Sequence, residues 1–248
     1  MTEAAPPYVR EELDSRSLHF SMSAVQSRMH LRRPDVLALE YTRLMMGWLM
    51  FAPGATRLAM IGLGGGSLAK FCHRHLPDAT MTVVEIDPQV IALRELFMLP
   101  ADGPRLRVVE ADGARFVAQT DARFDVLMVD AFGADGMPAA LGSQRFYDDA
   151  LDVLRPDGLL VVNLHAGDLH QPLYLERIRH AFGEGVLCVA DRDGSNSVVF
   201  AARGDRLLRQ RAPLRRPPVL AEAPWQELRA AFARISSALQ RQREGVAT

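Results

Sequence analysis

The feature that most limits what this chain can fold into is a regular alternation that begins at Arg57. Five short runs, residues 57–61, 80–85, 106–110, 125–129 and 159–163, are rich in Leu, Ile, Val and Met. Strands apolar at nearly every position are buried on both faces, the condition of a parallel sheet with helices on either side. The intervals supply helices at residues 67–76, 88–97, 114–118 and 143–153, with Pro88 suited to a first helical turn that needs no N–H. Arg155-Pro156-Asp157-Gly158 reads as a turn before the fifth strand. A helix around 173–182 leads to further strands at 186–190 and 197–202, and the intervening DRDGSN is short enough to imply a hairpin. The expected fold class is α/β, a Rossmann-like, mostly parallel sheet ending in an antiparallel hairpin.

The flanks follow other patterns. Residues 18–20 and 25–31 read as short strands, and 37–51 as a helix apolar enough to be buried, with Met45-Met46-Gly47-Trp48 in the core. Pro53-Gly54 closes this part. Residues 203–224 are rich in Arg and Pro and look like a surface connection, after which Leu228, Phe232, Ile235 and Leu239 mark an amphipathic closing helix. The expected organisation is a strand/helix segment over 1–53 with disorder through Pro7, a nucleoside-binding domain over 54–203, and a connection plus helix over 204–248. A net charge of −1 argues against a nucleic-acid partner held by a general positive field. No apolar run is long enough to cross a membrane, and the acidic, proline-bearing start is not a secretory signal. Cys72 and Cys188 form no CxxC pair and read as reduced thiols of a cytoplasmic protein. Lys70 is the only lysine; the preference for arginine reads as codon bias.

The chemistry-bearing residues gather where strands end. The first strand runs into Gly62-Leu63-Gly64-Gly65-Gly66-Ser67. Glycines there let the backbone turn tightly and approach a ligand, with helix N–H groups aimed at it; a plain tight turn is the bland alternative. The second strand ends in Val83-Val84-Glu85-Ile86-Asp87-Pro88, where the Glu85 carboxylate suits both ribose hydroxyls of a nucleoside. Glu85 lies 19 residues beyond Gly66, so NAD(P) is a further reading, although the turn is G-x-G-G-G-S and not G-x-G-x-x-G. After the third strand, Asp112-Gly113 offers an acceptor for the adenine amine, a helix cap, or both. Asp130 ends the fourth strand on the edge where open α/β sheets bind ligands, and Asp135 follows in a Gly-bearing loop. His165 and His170 read as loop histidines, Cys72 as packing, and no cluster has metal-ligand spacing, so no metal is expected.

The glycine turn, VEIDP, DG, DVLMVDAF and LRPDGLLVVNL, in this order, resemble the class I S-adenosylmethionine-dependent transferases. More narrowly, residues 18–202 resemble the spermidine synthase (polyamine aminopropyltransferase) family. The resemblance implies a seven-stranded sheet and a thioether nucleoside held by Glu85 and Asp112, with Gly62, Gly64, Gly65, Gly66, Asp87 and Gly113 around it. It makes Asp130 the proton acceptor, places Gln26 and Tyr41 at the amine substrate, and implies a homodimer formed through the N-terminal region. Departures are equally plain. Gly65 stands where the family carries an amine-binding aspartate, Gly133 where it carries a second, and Tyr41-Thr42 where it carries an aromatic-histidine or aromatic-glutamine pair. Each carboxylate offers a dicationic diamine a charge-assisted hydrogen bond of roughly 1.5–3 kcal/mol, and Asp135 and Asp168 are the nearest replacements.

The expected function is transfer of an alkyl (aminopropyl) group from an adenosyl sulfonium, S-adenosylmethionine or its decarboxylated form, to a small-molecule amine. Methyl transfer is the close rival, because Gly65 no longer repels the carboxylate of S-adenosylmethionine; that donor is expected to bind at least as tightly as the decarboxylated one, with weak putrescine activity. A catalytically weak nucleoside-binding protein is a second alternative. Glu85→Ala is expected to lower nucleoside affinity with the fold intact, and Gly65→Asp to shift preference toward the decarboxylated donor.

Overall fold

The computed structural model describes residues 6–20, 25–133, 136–209 and 214–246. The chain opens with a three-stranded antiparallel sheet, β1 (Tyr8–Glu11), β2 (Ser15–His19) and β3 (Val25–His30), in the order β1-β2-β3. β1 has no counterpart in the sequence reading, because its exposed YVRE carries only two apolar side chains. The helix expected over 37–51 is two shorter pieces: α1 (Glu40–Met45) and a 3-10 turn, Met46–Met50. Leu39 is extended, and the Arg43 side chain donates to the carbonyls of Leu37 and Ala38. The tighter 3-10 winding brings Gly47 against Ile235 and Phe200, where any added Cβ would overlap the isoleucine.

The main sheet follows in alternation: β4 (Arg57–Ile61), α2 (Ser67–His75), β5 (Thr80–Glu85), α3 (Pro88–Ala92), β6 (Leu106–Glu110), α4 (Gly113–Gln119), β7 (Phe124–Val129), α5 (Gln144–Val153), β8 (Leu154–His165), α6 (Gln171–Phe182), β9 (Val186–Ala190) and β10 (Asn196–Ala202). Its order is β6-β5-β4-β7-β8-β10-β9. The first five of these strands are parallel, and β10 lies antiparallel between β8 and β9. This is the seven-stranded Rossmann-like sheet of the methyltransferase fold. Arg155–Gly158 does not precede β8 but belongs to it, as a bulge: Phe124 pairs with Leu154 and Val126 with Leu159.

α3 stops after Ala92, short of the expected 97, and the chain continues in turns to Met98, whose φ is +53°. Two basic side chains hold that end. Arg16 donates to the Leu96 carbonyl, and Lys70 on α2 donates through Nζ to the Phe97 carbonyl at 2.7 Å. Lys70 is only 4% exposed, and burial pulls its pKa down to about 7. The connection after β10 is less open than its composition suggests. It holds α7 (Arg206–Arg209) and buries Leu207 and Leu220, and α8 (Glu222–Val246) begins before Pro224.

Alternation along each strand sends side chains to two cores. Leu58, Met60, Val83, Val126, Met128, Val161 and Phe200 face one side, where they pack with Leu18, Met29, Trp48, Phe71, Leu228, Phe232 and Ile235. Ala59, Ile61, Val84, Leu127, Val129, Leu160 and Val199 face the other, against α4, α5 and α6 through Val117, Phe146, Tyr147 and Ile178. The N-terminal strands, α1 and α8 therefore share one core with the sheet. No helix among the described residues is long and apolar enough to cross a membrane.

Candidate active site

Sheet order brings the chemistry-bearing residues together. Along the carboxyl edge the strands run β6, β5, β4, β7, β8, so Asp112, Glu85, the glycine turn, Asp130 and Asn163 follow one another in a row. Neighbouring strands lie about 4.8 Å apart, so the row spans roughly 20 Å. A cavity of about 240 Å³ opens above it. Ile86, Ala111 and Gly113 line it toward β6, where Leu141, in one turn with Pro138, packs on Gly113; Phe20, Gln26, Phe132 and Gly133 also line it.

Glu85 is fixed by backbone. Its Oε2 accepts from the Leu63 N–H at 2.8 Å, and its Oε1 from those of Ile86 and Asp87 at 2.9 and 3.0 Å. A carboxylate has about four acceptor positions, so one remains for a ligand hydroxyl. Glu85→Ala would also leave three N–H groups, one of them in the glycine turn, without this acceptor. Asp87 and Asp112 both line the cavity while capping helices, accepting from the N–H groups of Gln89 and Arg115 at 2.8 Å. Both readings offered for Asp112 are thus compatible with its place.

Asp130 owes its place to Gly62. The Asp130 N–H donates to the Ile61 carbonyl at 2.9 Å, and Gly62, at φ +94°, packs so tightly on the Asp130 carbonyl that a Cβ would overlap it. On the side chain, Asn163 Nδ2 donates to Oδ1 at 2.9 Å and the Tyr41 hydroxyl to Oδ2 at 3.3 Å. The hydroxyl lies equally far from the Gln26 carbonyl, and its single proton favours the charged acceptor. Burial pushes the Asp130 carboxyl up to about 6, against the downward pull of the two hydrogen bonds. Burial and the Asp130 charge hold the Tyr41 hydroxyl well above its ordinary range, so it stays protonated and donates. A carboxylate with that affinity can take a proton from an amine near neutral pH.

Eight of the residues expected at the site line one cavity: Gln26, Gly62, Gly64, Glu85, Asp87, Asp112, Gly113 and Asp130. Tyr41 reaches it through Asp130. Gly65 and Gly66 shape the turn from behind. A Cβ at Gly65 would stand 2.6 Å from Ser27 Oγ and 2.9 Å from Phe97 Cδ1, so Gly65→Asp requires the Ser27 hydroxyl to turn and the Phe97 ring to shift. Asp168 stands beside the loop that follows Asp130, its Oδ2 3.5 Å from where a Cβ of Gly136 would lie. It is absent from the cavity wall, and its Oδ1 accepts from the His170 N–H at 2.8 Å. Asp135 lies outside the described residues. Sequence reasoning missed Asn163, although a lone amide ending the apolar run Leu159-Leu160-Val161-Val162 was the signal. It also missed Phe20 and Phe132, the latter packed against His165 at 4.1 Å between ring centroids with the rings tilted by 40°.

Residues 39–181 match the sequence profile of the spermine/spermidine synthase domain. The chain belongs to the spermine/spermidine synthase family, and so to a family of transferases. The polyamine aminopropyltransferase of Neisseria meningitidis serogroup A is 39% identical over 195 residues, 78% of this chain and 74% of that one. The polyamine aminopropyltransferase of Chromobacterium violaceum is 38% identical over 216 residues, 86% and 83% of the two chains. A crystal structure of spermidine synthase in complex with the transition-state analogue AdoDATO has the same fold, with a TM-score of 0.64 at 19% identity over 96% of this chain and 88% of that one. The family match spans Tyr41, the glycine turn, Glu85, Asp112, Asp130 and Asn163; it leaves out Phe20 and Gln26.

Proposed function

We propose that this chain transfers the aminopropyl group of decarboxylated S-adenosylmethionine to a small-molecule amine, with Asp130 as proton acceptor. The observation that carries the reading is the row of carboxylates along the sheet edge. The Glu85 and Asp112 carboxylates suit a ribose and an adenine, and Asp130, held by Tyr41 and Asn163, stands two strands from Glu85. The amine nitrogen attacks the methylene carbon bonded to the sulfonium. The new C–N bond forms as the C–S bond breaks, its electron pair returns to sulfur, and methylthioadenosine leaves as a neutral thioether. Asp130 takes the proton that the nitrogen must lose. Orientation and proton removal are all this step requires of the protein.

Asp130→Asn keeps the shape and cannot accept the proton. Turnover is expected to fall about 10²–10⁴-fold with methylthioadenosine affinity nearly unchanged. Full activity in the variant would overturn the assignment.

Methyl transfer from S-adenosylmethionine is the second reading, favoured by a glycine turn, residues 62–67, that carries no acidic side chain. Competition binding of the two sulfonium donors separates the readings. A cytoplasmic setting and a homodimer built on the open edge of β1 belong to the same proposal. The unpaired cysteines Cys72 and Cys188 support the first, and the exposed face of β1 the second.

A further inference from the structure

Asn163 is a polar residue that packing alone does not call for. It is 1% exposed on β8, where Val161 and Val162 precede it, Leu164 follows it, and Val198 of β10 pairs with it. Alternation places its side chain on the same face as Val161 and Val198, in the core that also holds Trp48 and Ile235. A leucine, close to asparagine in size, would bury there with no polar atom. The amide donates from Nδ2 to Asp130 Oδ1 at 2.9 Å, and among the described residues nothing donates to its own Oδ1. A buried acceptor left unpaired is a net cost to the fold. Stability therefore does not account for the amide, and its contact with the carboxylate does.

The two oxygens of Asp130 are held unequally. Asn163 grips Oδ1 at 2.9 Å from β8, and Tyr41 reaches Oδ2 at 3.3 Å from α1. The Tyr41 hydroxyl lies just as far from the carbonyl of Gln26, a residue that lines the cavity with Asp130, whereas Asn163 is absent from the cavity wall. The shorter bond occupies Oδ1, and Oδ2 keeps the weaker donor beside Gln26. An amide N–H orients a carboxylate without giving up its proton, so the base stays ionised and its direction is fixed.

We propose that Asn163 is a positioning residue for proton transfer, holding Oδ1 of Asp130 so that Oδ2 receives the proton of the attacking amine. The inference rests on the aminopropyl-transfer reading, in which Asp130 is the proton acceptor. The nitrogen gains the aminopropyl carbon, the C–S electron pair goes to sulfur, and the displaced proton goes to Oδ2. Without the amide the ionised carboxylate loses a donor and keeps its proton to higher pH.

The test uses Asn163→Leu in the full chain, with decarboxylated S-adenosylmethionine as donor and 1,4-diaminobutane as acceptor. Methylthioadenosine release is followed from about pH 5 to 9. The acid limb of kcat/KM is expected to move up by about one pH unit, and kcat at its optimum to fall about tenfold, with methylthioadenosine affinity held. Thermal denaturation supplies a reading that a structural role would reverse. Asn163→Leu is expected to melt at least as high as the wild-type chain at pH 5, where Asp130 is largely neutral, and to lose ground against it by pH 8, where the carboxylate ionises without its donor. In an Asp130→Asn background that pH-dependent difference is expected to vanish. An unmoved acid limb overturns the inference, as does a lower melting temperature at pH 5 or a difference that persists in the Asp130→Asn background. If the wild-type chain releases no methylthioadenosine at any pH, the aminopropyl reading falls on its own, and the melting curves still decide whether Asn163 serves the ionised Asp130.

Discussion

A base that serves at neutral pH needs a proton affinity close to neutral, and burial gives Asp130 one at the expense of the fold. Its carboxyl is pushed up to about 6 from an ordinary 3.8, so the folded chain prefers the neutral form. A group raised in this way contributes its stability below the unfolded value and loses it as pH climbs through the folded one. At pH 8 the native state therefore carries a charge it would be more stable without. Asp130→Asn is expected to raise the unfolding free energy at pH 8 by about 1–3 kcal/mol, and to give no gain near pH 4. Guanidinium denaturation at the two pH values checks this. A variant no more stable at pH 8 would show that Tyr41 and Asn163 already offset the desolvation. Asn163 has a cost of its own, since its Oδ1 is buried without a partner, and so places a second polar penalty beside the first.

At the scale of elements, the contact between the ends of β4 and β7 sets where Asp130 stands. Gly62→Ala meets two obstacles, a φ of +94° and overlap with the Asp130 carbonyl, and is expected to cost about 2–4 kcal/mol and most turnover. Gly64→Ala, where a Cβ would lie 3.8 Å from Ser27, is expected to cost only about 1 kcal/mol, for its φ of +51°. Urea titration of the two variants compares them; equal losses would show that the β4–β7 approach is not the constraint. These elements were legible in the sequence because strands buried on both faces leave continuous apolar runs, and a Gly-rich stretch after the first of them marks the ligand edge. Glu85, Asp112 and Asp130 were legible for the same reason, as carboxylates ending such runs. What stayed hidden depends on contacts between distant segments. α3 ends early because Lys70 and Arg16, from α2 and β2, claim the carbonyls at its far end. The 37–51 helix tightens at Gly47 because Ile235, far along the chain, presses on it. Asp168 is set by a local turn, in which its Oδ1 accepts from the His170 N–H, and by its approach to Gly136, a contact between segments far apart in the chain.

Across the whole molecule, one core joins the N-terminal strands, the sheet and α8, with Ile235 fully buried between Gly47 and the rest. Ile235→Ala is expected to destabilise by about 2–5 kcal/mol through the cavity it leaves. Turnover is expected to fall as well, because α1 carries Tyr41, while methylthioadenosine affinity holds, because Glu85 and Asp112 hang on β5 and β6. Thermal denaturation and calorimetry on one preparation read both, and a matching loss of nucleoside affinity would refute this division of labour. The same core encloses the single side-chain amine of the sequence, on Lys70. Arginines alone supply the side-chain cations of the described surface, so lysine acylation, by a chemical label or by an acetyltransferase, finds no target there until α2 comes away from Met29 and Phe97. With a proton affinity near 7, that amine is largely unprotonated in mildly alkaline buffer, yet sealed from reagents. Its acylation would therefore record how often the core opens.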